Sequence, residues 1–156
     1  MARAIMTCGK LCSGKSTYAR KLRKERNAVI LSIDELMLAL FPEGAGVDHD
    51  AYVRRTERYL LDLSLQILQS GRDVILDWGL WTKAQRGRVR AFYTEHGIDS
   101  EIHYLHVSDE EWQRRIRKRN SERGSSDYYV DEGLLKKFES IFEEPGREET
   151  DLIVEG

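Results

Sequence analysis

The 156-residue chain contains little cysteine, little proline and no long apolar run. Its two cysteines, Cys8 and Cys12, are too few for a disulfide framework or a four-ligand zinc site, which favours a reducing, cytoplasmic setting. No stretch approaches the roughly 20 apolar residues that a membrane-spanning helix needs. The N-terminal MARAIMTCGK has no long apolar region and no cleavage site, so we expect no signal peptide and no membrane partner.

The charge of the chain is nearly balanced. Lysine and arginine total 25 and aspartate and glutamate total 27, for a net charge of −2. This value excludes a strong general attraction to nucleic acid, although a local basic patch remains possible. The histidines show no spacing typical of a metal site; they are His49, His96, His103 and His106. The length, and the lack of repeats or linkers, predict a single domain over 1–156.

Short apolar segments alternate with amphipathic ones along the chain. The pattern predicts strands at 2–8, 28–33, 73–78, 101–107 and 151–154. It predicts helices at 16–26, 34–41, 51–69, 82–96, 109–119 and 130–142. This alternation indicates an α/β fold, a parallel sheet between two layers of helices. Ligands of such sheets bind at the carboxyl ends of the strands.

The segment GKLCSGKS at 9–16 matches the pattern G-x-x-x-x-G-K-[ST] in full. Backbone N–H groups and a helix N-terminus would hold an anion there. Lys15 would reach the β- and γ-phosphates of a nucleotide, and the Ser16 hydroxyl would ligate Mg²⁺. The alternative is a strand-to-helix turn with two chance glycines, which the flanking strand and helix disfavour. The predicted nucleotide contacts are Gly9, Lys10, Leu11, Cys12, Ser13, Gly14, Lys15, Ser16 and Thr17. ATP is the default nucleotide, because no guanine-specific motif is present.

Two aspartates follow predicted strands. Asp34 is placed to accept the proton of an attacking hydroxyl during phosphoryl transfer, or to cap the helix that follows, and both roles remain open. Asp77 ends the apolar run DVILD and resembles a Walker B acid, which holds Mg²⁺ directly or through water. That pattern is weak alone, because many strands end in aspartate, and it gains weight from the phosphate loop.

Residues after Asp77 are candidates for the acceptor side. Trp78 and Trp81 could wall an acceptor pocket or pack beneath the next helix, and we favour packing for one of them. Arg86 belongs to a basic cluster and is nearest to the strand end, so it is a candidate contact to the acceptor.

An arginine-rich segment at 111–129 is a candidate lid, at about 114–130. Arginines on such a lid can meet the charge of a transferring phosphate and exclude water; the alternative is a solvated basic face. Arg115 and Arg119 share one helical face and are expected to contact ATP. The segment 124–126, Gly-Ser-Ser, would let the lid move.

The sequence resembles the small P-loop kinases of the polynucleotide-kinase-like and zeta-toxin-like group, an AAA-type, ATP-binding, kinase-like group. The match covers nearly the whole chain and includes GKLCSGKST, Asp34, VILDWGLWTKAQR and RKRNSERG. The resemblance implies that Asp34 is the general base and that Lys15 and Ser16 hold ATP·Mg²⁺. It places Asp77 beside the acceptor and the metal, and Arg119 and Arg123 on the transferring phosphate. The implied fold is the nucleoside-monophosphate-kinase type, with five parallel strands in the order 2-3-1-4-5.

One position departs from that resemblance. Polynucleotide kinases carry an arginine three residues after the general base, where this chain has Met37. A nucleic-acid acceptor is therefore not favoured. The predicted function is ATP- and Mg²⁺-dependent transfer of the γ-phosphoryl group to a hydroxyl of a small-molecule or nucleoside-like acceptor. The alternatives are a 5′-hydroxyl polynucleotide kinase and an ATP-binding regulatory or toxin-like module with little turnover. The oligomeric state remains open.

Overall fold

Five parallel strands form one sheet in the computed structural model, which describes residues 1–122 and 130–156. The strands are β1 (Ala4–Cys8), β2 (Val29–Leu31), β3 (Val74–Leu76), β4 (Ser100–His106) and β5 (Leu152–Glu155). Their order is β2-β3-β1-β4-β5, and every neighbouring pair is parallel. The α/β class and the strand order 2-3-1-4-5 are thereby confirmed.

Six helices surround this sheet. They are α1 (Lys15–Arg26), α2 (Ile33–Leu40), α3 (His49–Gln69), α4 (Lys83–Glu95), α5 (Asp109–Glu122) and α6 (Glu132–Ile141). Local sequence explains several helix ends. Thr82 and Gln85 form a capping box at the start of α4, and Asn27 ends α1 in the left-handed conformation. In the part of the chain that the structure describes, no helix is long and apolar enough to cross a membrane.

The core covers both faces of the sheet. Met6 and Leu76 pack on one face with residues of α3 and α4, including Leu60 and Tyr93. Alternate residues of the same strands point to the other face, where Ile5 and Ile75 pack against Ala19 and Leu22 of α1. Because both faces are covered, β1 and β3 read as nearly continuous apolar runs.

The start of α2 differs from the sequence prediction. β2 ends at Leu31, and Ser32 is the N-cap, with its hydroxyl accepting a hydrogen bond from the Glu35 N–H at 3.2 Å. Asp34 therefore lies in the first turn of α2, and the capping role considered for it is wrong. The pattern S-x-x-E at 32–35 is a capping signal in the sequence that favours Ser32 over Asp34.

Candidate active site

The phosphate-type loop joins β1 to α1, and both of its glycines have a structural reason. A Cβ atom at Gly9 would lie 2.6 Å from the Ser13 hydroxyl oxygen and 3.1 Å from the Leu105 carbonyl oxygen. Gly14 is the residue before α1 and has a φ of 93°, a conformation that side chains rarely adopt. Both glycines therefore meet a backbone requirement of this loop, as the sequence pattern implies.

Lys15 lies across this loop. Its ammonium group donates hydrogen bonds to the carbonyl oxygens of Gly9, at 3.0 Å, and Lys10, at 2.6 Å. Burial lowers the pKa of Lys15, while the nearby carboxylates of Asp77 and Asp34 act to raise it. The same three side chains thus share one electrostatic environment at the carboxyl ends of β1, β2 and β3. A cation removed from water in this way interacts strongly with a phosphate that replaces the carbonyl partners.

Ser16 and Asp77 meet beside Lys15. The Ser16 hydroxyl donates to Oδ2 of Asp77 at 2.8 Å, and Asp77 is buried while Ser16 is exposed. Mg²⁺ prefers such hard oxygen ligands and usually combines one or two protein oxygens with water and substrate phosphates. Within 1–122 and 130–156, no group of three or more histidine, cysteine or acidic side chains could hold a metal unaided. This donor set therefore fits a Mg²⁺ ion that arrives with a nucleotide.

Asp34 faces the same edge of the sheet from the first turn of α2. Although its side chain is exposed to solvent, the surrounding protein removes enough water to raise its pKa. Asp77 adds to this effect, and the positive charges of Lys15 and His49 oppose it. His49, the first residue of α3, was not predicted from sequence because it stands outside any motif. A carboxylate with a raised pKa is a better proton acceptor than an ordinary aspartate.

Helix α5 contacts the outer side of the loop. The Trp112 indole N–H donates to the Leu11 carbonyl oxygen at 2.6 Å, and the Lys10 ammonium group lies 4.5 Å from the centre of the Trp112 ring. Arg115 Nη1 reaches the Cys12 carbonyl oxygen at 3.5 Å. The sequence analysis missed Trp112; its signal is a large aromatic residue in an otherwise highly charged helix.

The structure places the predicted lid residue Arg115 at the loop. Glu111 accepts hydrogen bonds from Arg114 and from Nε of Arg115, and these two arginines lower the pKa of Glu111 to about 2. Arg119 lies one turn beyond Arg115 and is half-buried. Arg123 and the segment 124–126 lie outside the described residues, so their lid role stays a prediction.

Both tryptophans after Asp77 pack against protein. Trp78 is buried in the main core. Trp81 is half-buried, and its ring meets Phe138 of α6 edge-on with centroids 5.1 Å apart. The packing that the sequence analysis favoured for one tryptophan therefore describes both, and any contact of Trp81 with an acceptor would use its remaining exposed surface.

Arg86 has a different environment from the one expected. Only 2% of it is exposed, and its guanidinium donates to both carboxylate oxygens of Glu149, at 3.2 and 3.4 Å, and to the Leu80 carbonyl oxygen at 2.9 Å. The structure does not bring this group to the open part of the site. It indicates that Arg86 stabilises the fold. Glu149 lies 63 positions away in sequence, so the Arg86–Glu149 pair links α4 to the segment before β5.

Arg86→Leu is expected to destabilise the protein by about 3 kcal/mol, because it leaves Glu149 without its buried partner. Urea unfolding measures this change. The matched control is Arg88→Leu, since Arg88 is 56% exposed and pairs with Glu57 at the surface; its cost is expected to stay below about 1 kcal/mol. A stable Arg86→Leu protein with impaired acceptor binding would instead support the contact predicted from sequence.

Comparison with known proteins agrees with this geometry. A family described as an AAA domain, AAA_33, matches residues 5–145. No curated protein sequence matches the chain significantly. Three solved structures are similar to it. They are the Mycobacterium tuberculosis APS kinase CysC in complex with AMPPNP and APS, a gluconokinase from Sinorhizobium meliloti 1021, and Chaetomium thermophilum Kti12 in complex with ADP-AlF3.

The similarity to these structures extends over the whole fold. The APS kinase has 19% identity and a TM-score of 0.72, over 99% of this chain and 88% of that one. The gluconokinase has 18% identity and a TM-score of 0.64, over 98% and 82%. Kti12 has 17% identity and a TM-score of 0.72, over 98% and 88%. These TM-scores establish a shared fold, and the family match extends over most of the sequence. The chain belongs to the AAA domain family AAA_33 and has the fold of the small P-loop kinases.

Proposed function

We propose that this protein is an ATP- and Mg²⁺-dependent phosphotransferase that moves the γ-phosphoryl group of ATP to a hydroxyl of a small-molecule or nucleoside-like acceptor. The observation that carries the proposal is the convergence of Lys15, the Ser16–Asp77 pair and Asp34 at adjacent strand ends. Lys15, the Ser16–Asp77 pair and Asp34 would each have a separate task in phosphoryl transfer. The proposed unit is a single domain over 1–156, with a lid at about 114–130.

ATP would bind with its phosphates in the loop 9–16. The Gly9 and Gly14 geometry opens the loop backbone to an anion, and Lys15 would exchange its carbonyl partners for phosphate oxygens. Two of the similar structures hold AMPPNP or ADP-AlF3, which supports nucleotide binding by this chain. Arg115, at the loop, and Arg119, further along α5, would face the bound nucleotide from the other side.

Mg²⁺ would be held by Ser16 and Asp77, with phosphate and water oxygens completing its shell. When bound, it would neutralise negative charge on the β- and γ-phosphates. Ser16 would then turn its lone pairs to the ion, while Asp77 would bind it directly or through water. Asp77 suits this task because its buried carboxylate lies 2.8 Å from the Ser16 hydroxyl, the other proposed ligand.

The oxygen of the acceptor hydroxyl would form a bond to the γ-phosphorus, and Asp34 would accept the proton that this hydroxyl loses. The bond from that phosphorus to the β–γ bridging oxygen breaks at the same time, and ADP carries the leaving charge. Lys15 and lid arginines, with Arg119 and Arg123 as candidates, would stabilise the charge on the transferring group. Positioning and charge stabilisation account for such reactions, so no covalent intermediate is expected.

The direct test is label transfer from γ-labelled ATP to two sets of acceptors, with Lys15→Ala as the blank. One set contains nucleosides, gluconate, other sugars and APS; the other contains 5′-hydroxyl DNA and RNA oligonucleotides. Label on a small molecule supports the proposal and identifies the acceptor class. Label on oligonucleotides alone would replace it with a polynucleotide kinase that tolerates Met37. No label in either set, with ATP still bound, would favour an ATP-binding module.

Asp77→Asn is expected to raise the Mg²⁺ concentration needed for half-maximal transfer by about tenfold or more, because an amide oxygen carries no full charge. A Mg²⁺ titration of the initial rate at saturating ATP measures this change. Asp62→Asn is the matched control, since Asp62 is an exposed residue of α3. An unchanged Mg²⁺ dependence in Asp77→Asn would remove Asp77 from the metal site.

A further inference from the structure

A groove with basic walls runs along α1 and the outer edge of β2. β2 is the last strand on that side of the sheet, so this edge faces away from the other strands. The groove has a volume of about 730 Å³. Its charged lining consists of Arg20, Arg23 and Lys24 of α1, Arg72 before β3, and Glu35 of α2.

In residues 1–122 and 130–156, none of the four basic side chains of the groove belongs to an ion pair. Arg72 donates to the side-chain and backbone oxygens of Asn27, and Arg20 contacts the Thr17 hydroxyl at 3.4 Å. Four cations and one acid give the lining a formal charge of +3, although the whole chain carries −2.

The basic side chains are spread along the groove. Arg20, Arg23 and Lys24 stand three and four positions apart, so they share one face of α1. Arg72 comes from a separate part of the chain, on the turn between α3 and β3. A small anion is usually held by donors that converge on one point, whereas this arrangement suits an extended ligand with repeated negative charge. A concave groove also fits an extended polymer chain better than it fits the flat surface of a bilayer.

We propose that the groove between α1 and the edge of β2 binds the phosphodiester backbone of a single-stranded nucleic acid. Among the residues that the structure describes, the groove lining has no aromatic side chain on which bases could stack. The binding is therefore governed by charge, tolerates any base sequence and depends strongly on salt. The residues that line the groove lie outside the loop 9–16, and the proposal does not rest on the proposed phosphotransfer.

The test is fluorescence anisotropy of labelled single-stranded DNA and RNA, with ATP and Mg²⁺ omitted, over a series of salt concentrations. Each phosphate contact on a single strand contributes about −0.7 to the slope of log affinity against log salt, so four contacts give about −3. Arg23→Gln with Lys24→Gln is expected to weaken binding about tenfold and to halve the slope. The charge-reversed pair Arg23→Glu with Lys24→Glu is expected to weaken it further.

The matched control is Arg54→Gln with Arg58→Gln, which removes the same charge from exposed positions on α3. It is expected to keep the affinity and slope of the unaltered protein. Equal losses in both variants would show a general charge effect and overturn the proposal, as would no binding at low salt. Binding to vesicles of anionic lipid without binding to oligonucleotides would overturn it in favour of a membrane surface. Label transfer is measured separately, so failure of this site leaves the proposed function standing.

Discussion

Asp34→Asn is expected to lower the rate of phosphoryl transfer by about 10²- to 10⁴-fold, because an amide cannot accept the proton of the acceptor hydroxyl. The affinity for ATP is expected to remain within about twofold, since Asp34 lies in the first turn of α2 and not in the loop 9–16. Rapid-quench measurement of label transfer gives the rate, and equilibrium titration with ATP gives the affinity.

Asp99→Asn is the matched control for this variant. Asp99 is an exposed residue just before β4, at the opposite end of the sheet from Asp34. Its substitution is expected to leave transfer unchanged. Full transfer activity in Asp34→Asn would show that another group, or water, takes the proton.

The pH dependence tests the same assignment independently. Desolvation by the surrounding protein raises the pKa of Asp34, so its carboxylate becomes protonated at a higher pH than that of an ordinary aspartate does. Transfer should therefore fall, as pH decreases, through a pKa above the usual aspartate range. This acidic limb is expected to disappear from the residual activity of Asp34→Asn, and an identical limb in that variant would assign it to a different group.

Lys15→Ala is expected to lower transfer by about 10³-fold and to weaken ATP binding as well. The reason is that the Lys15 ammonium lies across the loop and already contacts the Gly9 and Lys10 carbonyl oxygens, where phosphate would lie. Its loss removes attraction both to the bound phosphates and to the charge of the transition state. Transfer rate and ATP affinity are measured as for Asp34→Asn.

Lys21→Ala provides the control for that substitution, because Lys21 is an exposed lysine of the same helix. It is expected to behave like the unaltered protein. If Lys15→Ala kept both its ATP affinity and its transfer rate, the loop 9–16 would not be the nucleotide site. Asp34→Asn is expected to impair proton transfer without weakening ATP binding, whereas Lys15→Ala is expected to weaken both phosphate binding and transfer. Comparison of these two variants therefore separates the two roles.

The phosphate loop could be predicted from sequence because its chemistry is local. The pattern depends on backbone geometry over eight residues and includes Gly9, Gly14, Lys15 and Ser16. In the structure a side chain at Gly9 would clash with Ser13, and Gly14 has a positive φ, so both positions favour glycine. The alternation of apolar strands and amphipathic helices likewise indicated the fold class. The strand order came from the family resemblance, since apolar periodicity carries no information on which strands are neighbours.

The features that sequence could not give depend on contacts between distant segments. Arg86 looked like a free cation near a strand end, but it pairs with Glu149, and no local pattern shows that. Trp112 reaches the Leu11 carbonyl from 101 positions away. The basic groove likewise combines residues of α1 with Arg72. These residues are far apart in sequence, and the sequence alone does not show that they line one groove.

The most direct test of the account is ADP formation coupled to label transfer, measured with ATP, Mg²⁺ and the acceptor panel for the unaltered protein and for Asp34→Asn. The central claim is that Lys15, Ser16, Asp77 and Asp34 act together to move the γ-phosphoryl group to an alcohol. The account expects ADP to form in step with a labelled acceptor in the unaltered protein, and expects the rate of both to fall by about 10²- to 10⁴-fold in Asp34→Asn while ATP remains bound. Equal product formation in the two proteins would contradict it.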